Sequence, residues 1–127
     1  MTQYKLSTRS LQNLSGVHPD LVAVVEAAIK ITKQDFIVIE GIRSVNRQRE
    51  LLKAGKSTTM KSRHITGHAI DVCPNPVDWN DTKKFLAIAE ALKQAAKDLK
   101  VSIEWGGDWK TFVDMPHFQL THKDYPA

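Results

Sequence analysis

A chain of 127 residues, 42% apolar and 25% charged, has the makeup of one globular domain, and residues 1–127 are read as a single domain. Its lone cysteine, Cys73, excludes an intrachain disulfide, and no apolar run approaches the roughly 20 residues that span a bilayer, so no stable membrane insertion is expected. The net charge of +4 is scattered rather than interleaved with aromatics, which argues against a nucleic-acid partner and leaves a mild attraction to anionic surfaces.

In chain order, the opening stretch MTQYKLSTRSLQNL lacks the apolar segment and cleavage site of a secretory signal. The first helix is expected to start at His18 and Pro19, because proline suits the first helical position, and to run to about Lys33. Residues 36–39 (FIVI) read as a buried strand that Gly41 ends. A second helix spans about 45–54 and closes at Gly55, followed by a polar loop over 56–61. Residues 67–73 read as a strand stopped by Pro74. Asn80 or Asp81 caps a long helix with Phe85, Ile88, Ala89, Leu92, Ala96 and Leu99 on one face. Strands over 101–105 and 117–120 finish the chain, with a loop opening at Gly106. The order implies an α+β fold: a small, mostly antiparallel sheet with helices packed against it.

Two segments carry groups suited to chemistry. In SRHITGHAID (62–71), His64 and Asp71 are seven residues apart, an odd offset that sends them to opposite faces of one regular strand. They converge only if His64 lies in a loop and the chain turns at Gly67, where glycine permits the turn and lets backbone come close to a bound group. Asp71 then shares a strand face with small Ala69, while Ile70 and Val72 face the core. In DMPHFQL (114–120), Pro116 keeps Met115 out of helical geometry, so Asp114 and His117 sit across a turn entering a strand. His117 and Gln119 share one face of that strand, and Phe118 and Leu120 take the other. If the two strands pair, His64, Asp71 and His117 meet.

Two imidazoles and a carboxylate suit Zn2+, with a fourth position left for water, whose pKa zinc lowers to about 7. Asp114 is then the candidate general base. Arg43, just after a buried strand, is the candidate for stabilising a developing oxyanion.

The pattern Ser-x-His-x-x-Gly-x-Ala-x-Asp, followed near the C-terminus by a carboxylate three residues before a second His, resembles the zinc D-alanyl-D-alanine and L-alanyl-D-glutamate peptidases of bacterial cell walls. The similarity extends over about 36–120 and includes Gly41-Ile42-Arg43-Ser44, Gln48 and the WGGDW run at 105–109. It implies zinc on His64, Asp71 and His117, with Asp114 as base. Ser62, Gln48 and Trp105 are candidate substrate contacts. Asp-x-x-His with Pro116, rather than Glu-x-x-His, is similar to the L-alanyl-D-glutamate endopeptidases, including compact phage endolysins. The expectation is therefore a monomeric lysin that cleaves peptidoglycan stem peptides and carries no separate wall-binding domain. Such an enzyme is made in the host cytoplasm and acts at the cell wall once another protein has breached the membrane.

Blander roles stand beside these. Strand parity turns His68 away from Asp71, His18 reads as a helix-entry residue and His122 as exposed tail. Cys73 reads as a small buried thiol. Asp114 has a turn-capping alternative, Arg43 one as a partner of Glu40, and Ser62 one in orienting its loop. Trp105 and Trp109 have a core alternative, and Glu104 is a rival base. Rival functions are a D-alanyl-D-alanine carboxypeptidase and a non-catalytic binding module that keeps zinc as scaffold.

Overall fold

The strand signals at 36–39 and 117–120 and the caps at His18 and Asp81 mark the elements of the computed structural model, which describes residues 4–56, 62–110 and 113–126. Helix α1 (Thr8–Asn13) is followed by α2 (Pro19–Ile31), strand β1 (Phe36–Glu40), α3 (Val45–Lys53), β2 (Ala69–Pro74), α4 (Thr82–Leu99), β3 (Ile103–Trp105), a 3-10 turn (Gly106–Asp108) and β4 (His117–Leu120). The strands form one antiparallel sheet in the order β1-β2-β4-β3. The fold is α+β, as the sequence implies.

Capping explains the helix starts. His18 accepts the Asp20 backbone N–H ahead of α2, with Pro19 at its first position. Asp81, and not Asn80, caps α4 by accepting the N–H groups of Lys83 and Lys84. The apolar faces of α2 (Leu21, Val24, Val25, Ala28) and α4 (Phe85, Ile88, Leu92) close over Val38, Ile70, Val72, Phe118 and Leu120 from the sheet. Each such Val, Leu, Ile or Phe side chain, fully buried, contributes about 1.5–3 kcal/mol. The core thus takes one set of alternate strand positions and leaves the other set for polar groups.

Three expectations need correction. A helix precedes Pro19: α1 is capped by Ser7 and shows no apolar periodicity because what it buries is Ser10, whose hydroxyl accepts the Val38 N–H at 3.0 Å. The strand expected over 67–73 is Ala69–Pro74, since Gly67 belongs to the turn before it. The strand expected over 101–105 is confined to Ile103–Trp105, and Gly106 opens a 3-10 turn rather than an irregular loop. Of the polar loop expected over 56–61, residues 57–61 lie outside the described residues.

Candidate metal centre

Sheet register builds half of the site. Asp71 on β2 lies directly opposite His117 on β4, and Ala69 opposite Gln119. Because side chains alternate along a strand, this pairing puts Asp71, His117 and Gln119 on the face away from Ile70, Phe118 and Leu120. His117 Nδ1 lies 3.3 Å from Asp71 Oδ1. Its Nε2 lies 2.7 Å from Gln119 Oε1, an oxygen that only accepts, so Nε2 is the donor in this bond.

A loop builds the other half. Gly67, with φ at +75°, reverses the chain between His64 and β2, and a Cβ there would meet the Gly16 carbonyl oxygen at 2.7 Å. The close approach at Gly67 is therefore to the protein's own backbone and not, as expected, to a bound group. His64 Nδ1 donates to the Gly41 carbonyl at 2.8 Å, which leaves Nε2 facing Asp71 Oδ1 at 3.2 Å. The His64 carbonyl accepts the Arg43 N–H, and its N–H donates to Ser62 Oγ. Neighbouring Arg63, only 5% exposed, donates through Nη2 to the carbonyls of Leu120 and Tyr125 at 2.9 and 2.7 Å. It thereby ties the His64 loop to the end of the strand that carries His117.

His64, Asp71 and His117 form the one His/Cys/Asp/Glu group among the described residues whose ligand atoms all lie within 4.8 Å of one another. Around a tetrahedral zinc with bonds of about 2.0–2.2 Å, neighbouring ligand atoms are about 3.3–3.6 Å apart. The 3.2 and 3.3 Å separations from Asp71 Oδ1 fit that spacing. Electrostatics point the same way. Burial opposes charge on Asp71, yet hydrogen bonds from His117 and His64 hold its carboxyl well below the ordinary carboxylate range. Burial also opposes charge on His117, but its hydrogen bond to Asp71 and the charge of that carboxylate raise it above an ordinary imidazole. A cation between these groups is favoured, whether proton or metal.

Asp114 closes the turn into β4, its carbonyl accepting the His117 N–H at 3.1 Å. Its own N–H donates to Gly106, where a Cβ would lie 2.1 Å from the Asp114 carbonyl oxygen, so glycine is required for this approach. Burial raises the Asp114 carboxyl above its ordinary value and the Asp71 charge raises it further, with His117, His64 and Arg43 offsetting part. Arg43 makes three short bonds, two to Glu40 (2.7 and 2.8 Å) and one to Gln48 Oε1 (2.7 Å). Its contacts to Ser62 Oγ (3.5 Å) and Asp71 Oδ2 (3.6 Å) are longer.

Two substrate-contact expectations change. Gln48 is fully buried behind Arg43 and holds it, so it does not line an open wall. Trp105 is 5% exposed, stacked on Phe118, and donates its indole N–H to the Met115 carbonyl, which makes it core. Trp109 is the tryptophan beside the centre, with its ring 5.2 Å from that of His117 and its N–H directed to Glu104 at 3.4 Å. His68 bonds Thr66 and lies against His18, away from the ligand group as parity requires. Cys73 is buried and free. Sequence reasoning gave no role to Gln119, Arg63 or the Gly41 carbonyl. Only Gln119 carried a signal, its shared strand face with His117.

The profile described as phage L-alanyl-D-glutamate peptidase matches residues 2–123. The L-alanyl-D-glutamate peptidase of Escherichia phage T5 is 35% identical over 117 residues, covering 87% of this chain and 85% of that protein. The peptidoglycan L-alanyl-D-glutamate endopeptidase CwlK of Bacillus subtilis is 29% identical, covering 90% and 81%. The crystal structure of the Serratia marcescens L-Ala D-Glu endopeptidase ChiX superposes with a TM-score of 0.93 at 48% identity, covering 98% of this chain and 96% of that one. The vancomycin-resistance D,D-dipeptidase VanXYg shares the fold, with a TM-score of 0.52 at 18% identity over 82% of this chain and 50% of that one.

Proposed function

The chain belongs to the phage L-alanyl-D-glutamate peptidase family, and from that premise we propose that it is a zinc-dependent endopeptidase, cleaving the L-alanyl-D-glutamate bond of peptidoglycan stem peptides and so lysing bacteria. The observation that carries this reading is the convergence of His64, Asp71 and His117 on one point, with Asp114 held three residues before His117 by a closed turn. Zinc bound by the three side chains supplies a Lewis acid and lowers the pKa of a water from about 15.7 to about 7.

The chain's own residues then divide the work. Asp114 takes the proton of the attacking water and hands it to the leaving amine, and its raised pKa makes it a stronger base than an ordinary aspartate. Arg43 is fixed by Glu40 and Gln48 through its short bonds, leaving the N–H groups of its two longer contacts to turn toward the developing oxyanion. Ser62 steadies the His64 loop and offers its hydroxyl at the rim, and Trp109 walls the site beside His117. Action as a monomer is part of the same proposal. The site of action is the cell wall, reached from the host cytoplasm after a separate breach of the membrane. No helix among the described residues is long and apolar enough to cross a membrane.

Digestion of purified peptidoglycan, with and without a chelator, tests the reading through the termini released. A new amino-terminal D-glutamate, absent under chelation, is expected. Release of free D-alanine instead would make the protein a carboxypeptidase and overturn the endopeptidase assignment.

A further inference from the structure

The two histidines of the centre are oriented by different means. His64 donates its Nδ1 proton to a backbone carbonyl, that of Gly41, which no side-chain substitution removes. His117 donates its Nε2 proton to the side chain of Gln119, two residues along the same strand and itself buried. Nothing in the core requires a polar group at position 119, because that face of β4 lies opposite Phe118 and Leu120. The residue across the register is Ala69, small enough to leave room for the amide, and Glu104 flanks Gln119 from the other side. A neutral imidazole has one N–H and one lone pair, so fixing the proton on Nε2 fixes the lone pair on Nδ1, the atom that faces Asp71 Oδ1 at 3.3 Å.

We propose that Gln119 is a positioning residue of the metal centre: its amide oxygen holds His117 in the tautomer and ring orientation that present Nδ1 to the metal, opposite the Nε2 presented by His64. The proposal rests on the metal reading of the site. It also makes position 119 the place where metal affinity is tuned by a side chain, since a ligating imidazole depends on the acceptor behind it and loss of that acceptor costs about 10–100-fold in affinity. A carboxylate there accepts the same proton in a stronger, charge-assisted bond.

The test compares zinc affinity, by competition with a chromophoric chelator, in the full-length protein and its Gln119→Leu and Gln119→Glu variants. Leu is close to Gln in size and removes only the acceptor; Glu restores one. Gln119→Leu is expected to weaken zinc binding about 10–100-fold while Gln119→Glu stays within about threefold of the parent or binds more tightly. Long-range 15N spectra of the zinc-loaded protein provide the second readout. They should show the Nε2–H tautomer of His117 in the parent and a mixture in Gln119→Leu. Equal losses in both variants would assign Gln119 a packing role, and an unchanged affinity in Gln119→Leu or an Nδ1–H tautomer in the parent would overturn the proposal. A parent protein that binds no zinc at all removes the metal reading itself, an outcome distinct from these.

Discussion

The two halves of the centre are held by different kinds of structure. The strand half, Asp71 with His117 and Gln119, is set by register: once β2 and β4 pair, the three side chains share a face and the ring is fixed by a neighbour two residues away. The loop half, His64 with Ser62 and Arg63, is set by distant backbone: the Gly41 carbonyl, the Arg43 N–H, and the Leu120 and Tyr125 carbonyls bound by Arg63. A strand carries its geometry in its own periodicity, whereas a loop must borrow geometry from whatever it touches. Disturbance far from the site should therefore reach His64 more readily than His117.

Four perturbations break or sharpen that contrast. The largest removes the oxygen that both halves share. Asp71→Ala should abolish hydrolysis and weaken zinc binding by well over the roughly 10–100-fold expected for loss of a supporting group, measured by metal analysis after dialysis. Next, Gly106→Ala puts a Cβ into the Asp114 carbonyl and displaces the proposed base, at the cost of the bond that this carbonyl accepts from the His117 N–H but with all three proposed ligand side chains kept. Turnover should fall about 100-fold with zinc content unchanged, whereas a loss of zinc would mean that Asp114 serves binding.

The third perturbation addresses the loop half alone. Arg63→Met leaves the Leu120 and Tyr125 carbonyls without their donor and should cost about 1–3 kcal/mol in urea unfolding. The cost stays modest because Nε and Nη1 of this buried guanidinium have no hydrogen-bond partner among the described residues, so a poorly satisfied charge is removed as well. Zinc release should accelerate in this variant, and unchanged release would show that His64 does not depend on the tie.

The smallest effect is one of pH on the strand half. In the metal-free protein His117 has a raised pKa, so its contribution to stability is complete below the unfolded imidazole value of about 6.5 and is lost as pH rises through the folded value. Asp71, held low, contributes above the unfolded carboxylate value of about 3.9 and loses its contribution only in strong acid. The Tm of metal-free protein should therefore fall as pH climbs above about 6.5. Zinc should flatten that fall by replacing the proton; an identical slope with and without zinc would place the metal elsewhere.

The same contrast explains what could be read from the sequence. Alternation alone put Ile70, Val72, Phe118 and Leu120 in the core and turned His68 away from Asp71, because a period of two needs no tertiary knowledge. His64 was found through its motif and Gly67, but the Gly41 carbonyl that orients it lies 23 residues away and has no sequence signature. Helix α1 was missed since it docks through Ser10 rather than through an apolar stripe. Gln48 and Trp105 were expected at substrate because they lie near the right motifs; burial behind Arg43 and against Phe118 overrides that proximity.

The central claim is that the two halves hold one zinc ion and that Asp114 does its chemistry beside it. Zinc stoichiometry and peptidoglycan hydrolysis, measured together on the parent and on Asp114→Ala, test it most directly. One zinc per chain in both proteins is expected, with hydrolysis in the variant reduced about 100- to 10,000-fold. Undiminished hydrolysis by Asp114→Ala, or by parent protein stripped of metal, would contradict it.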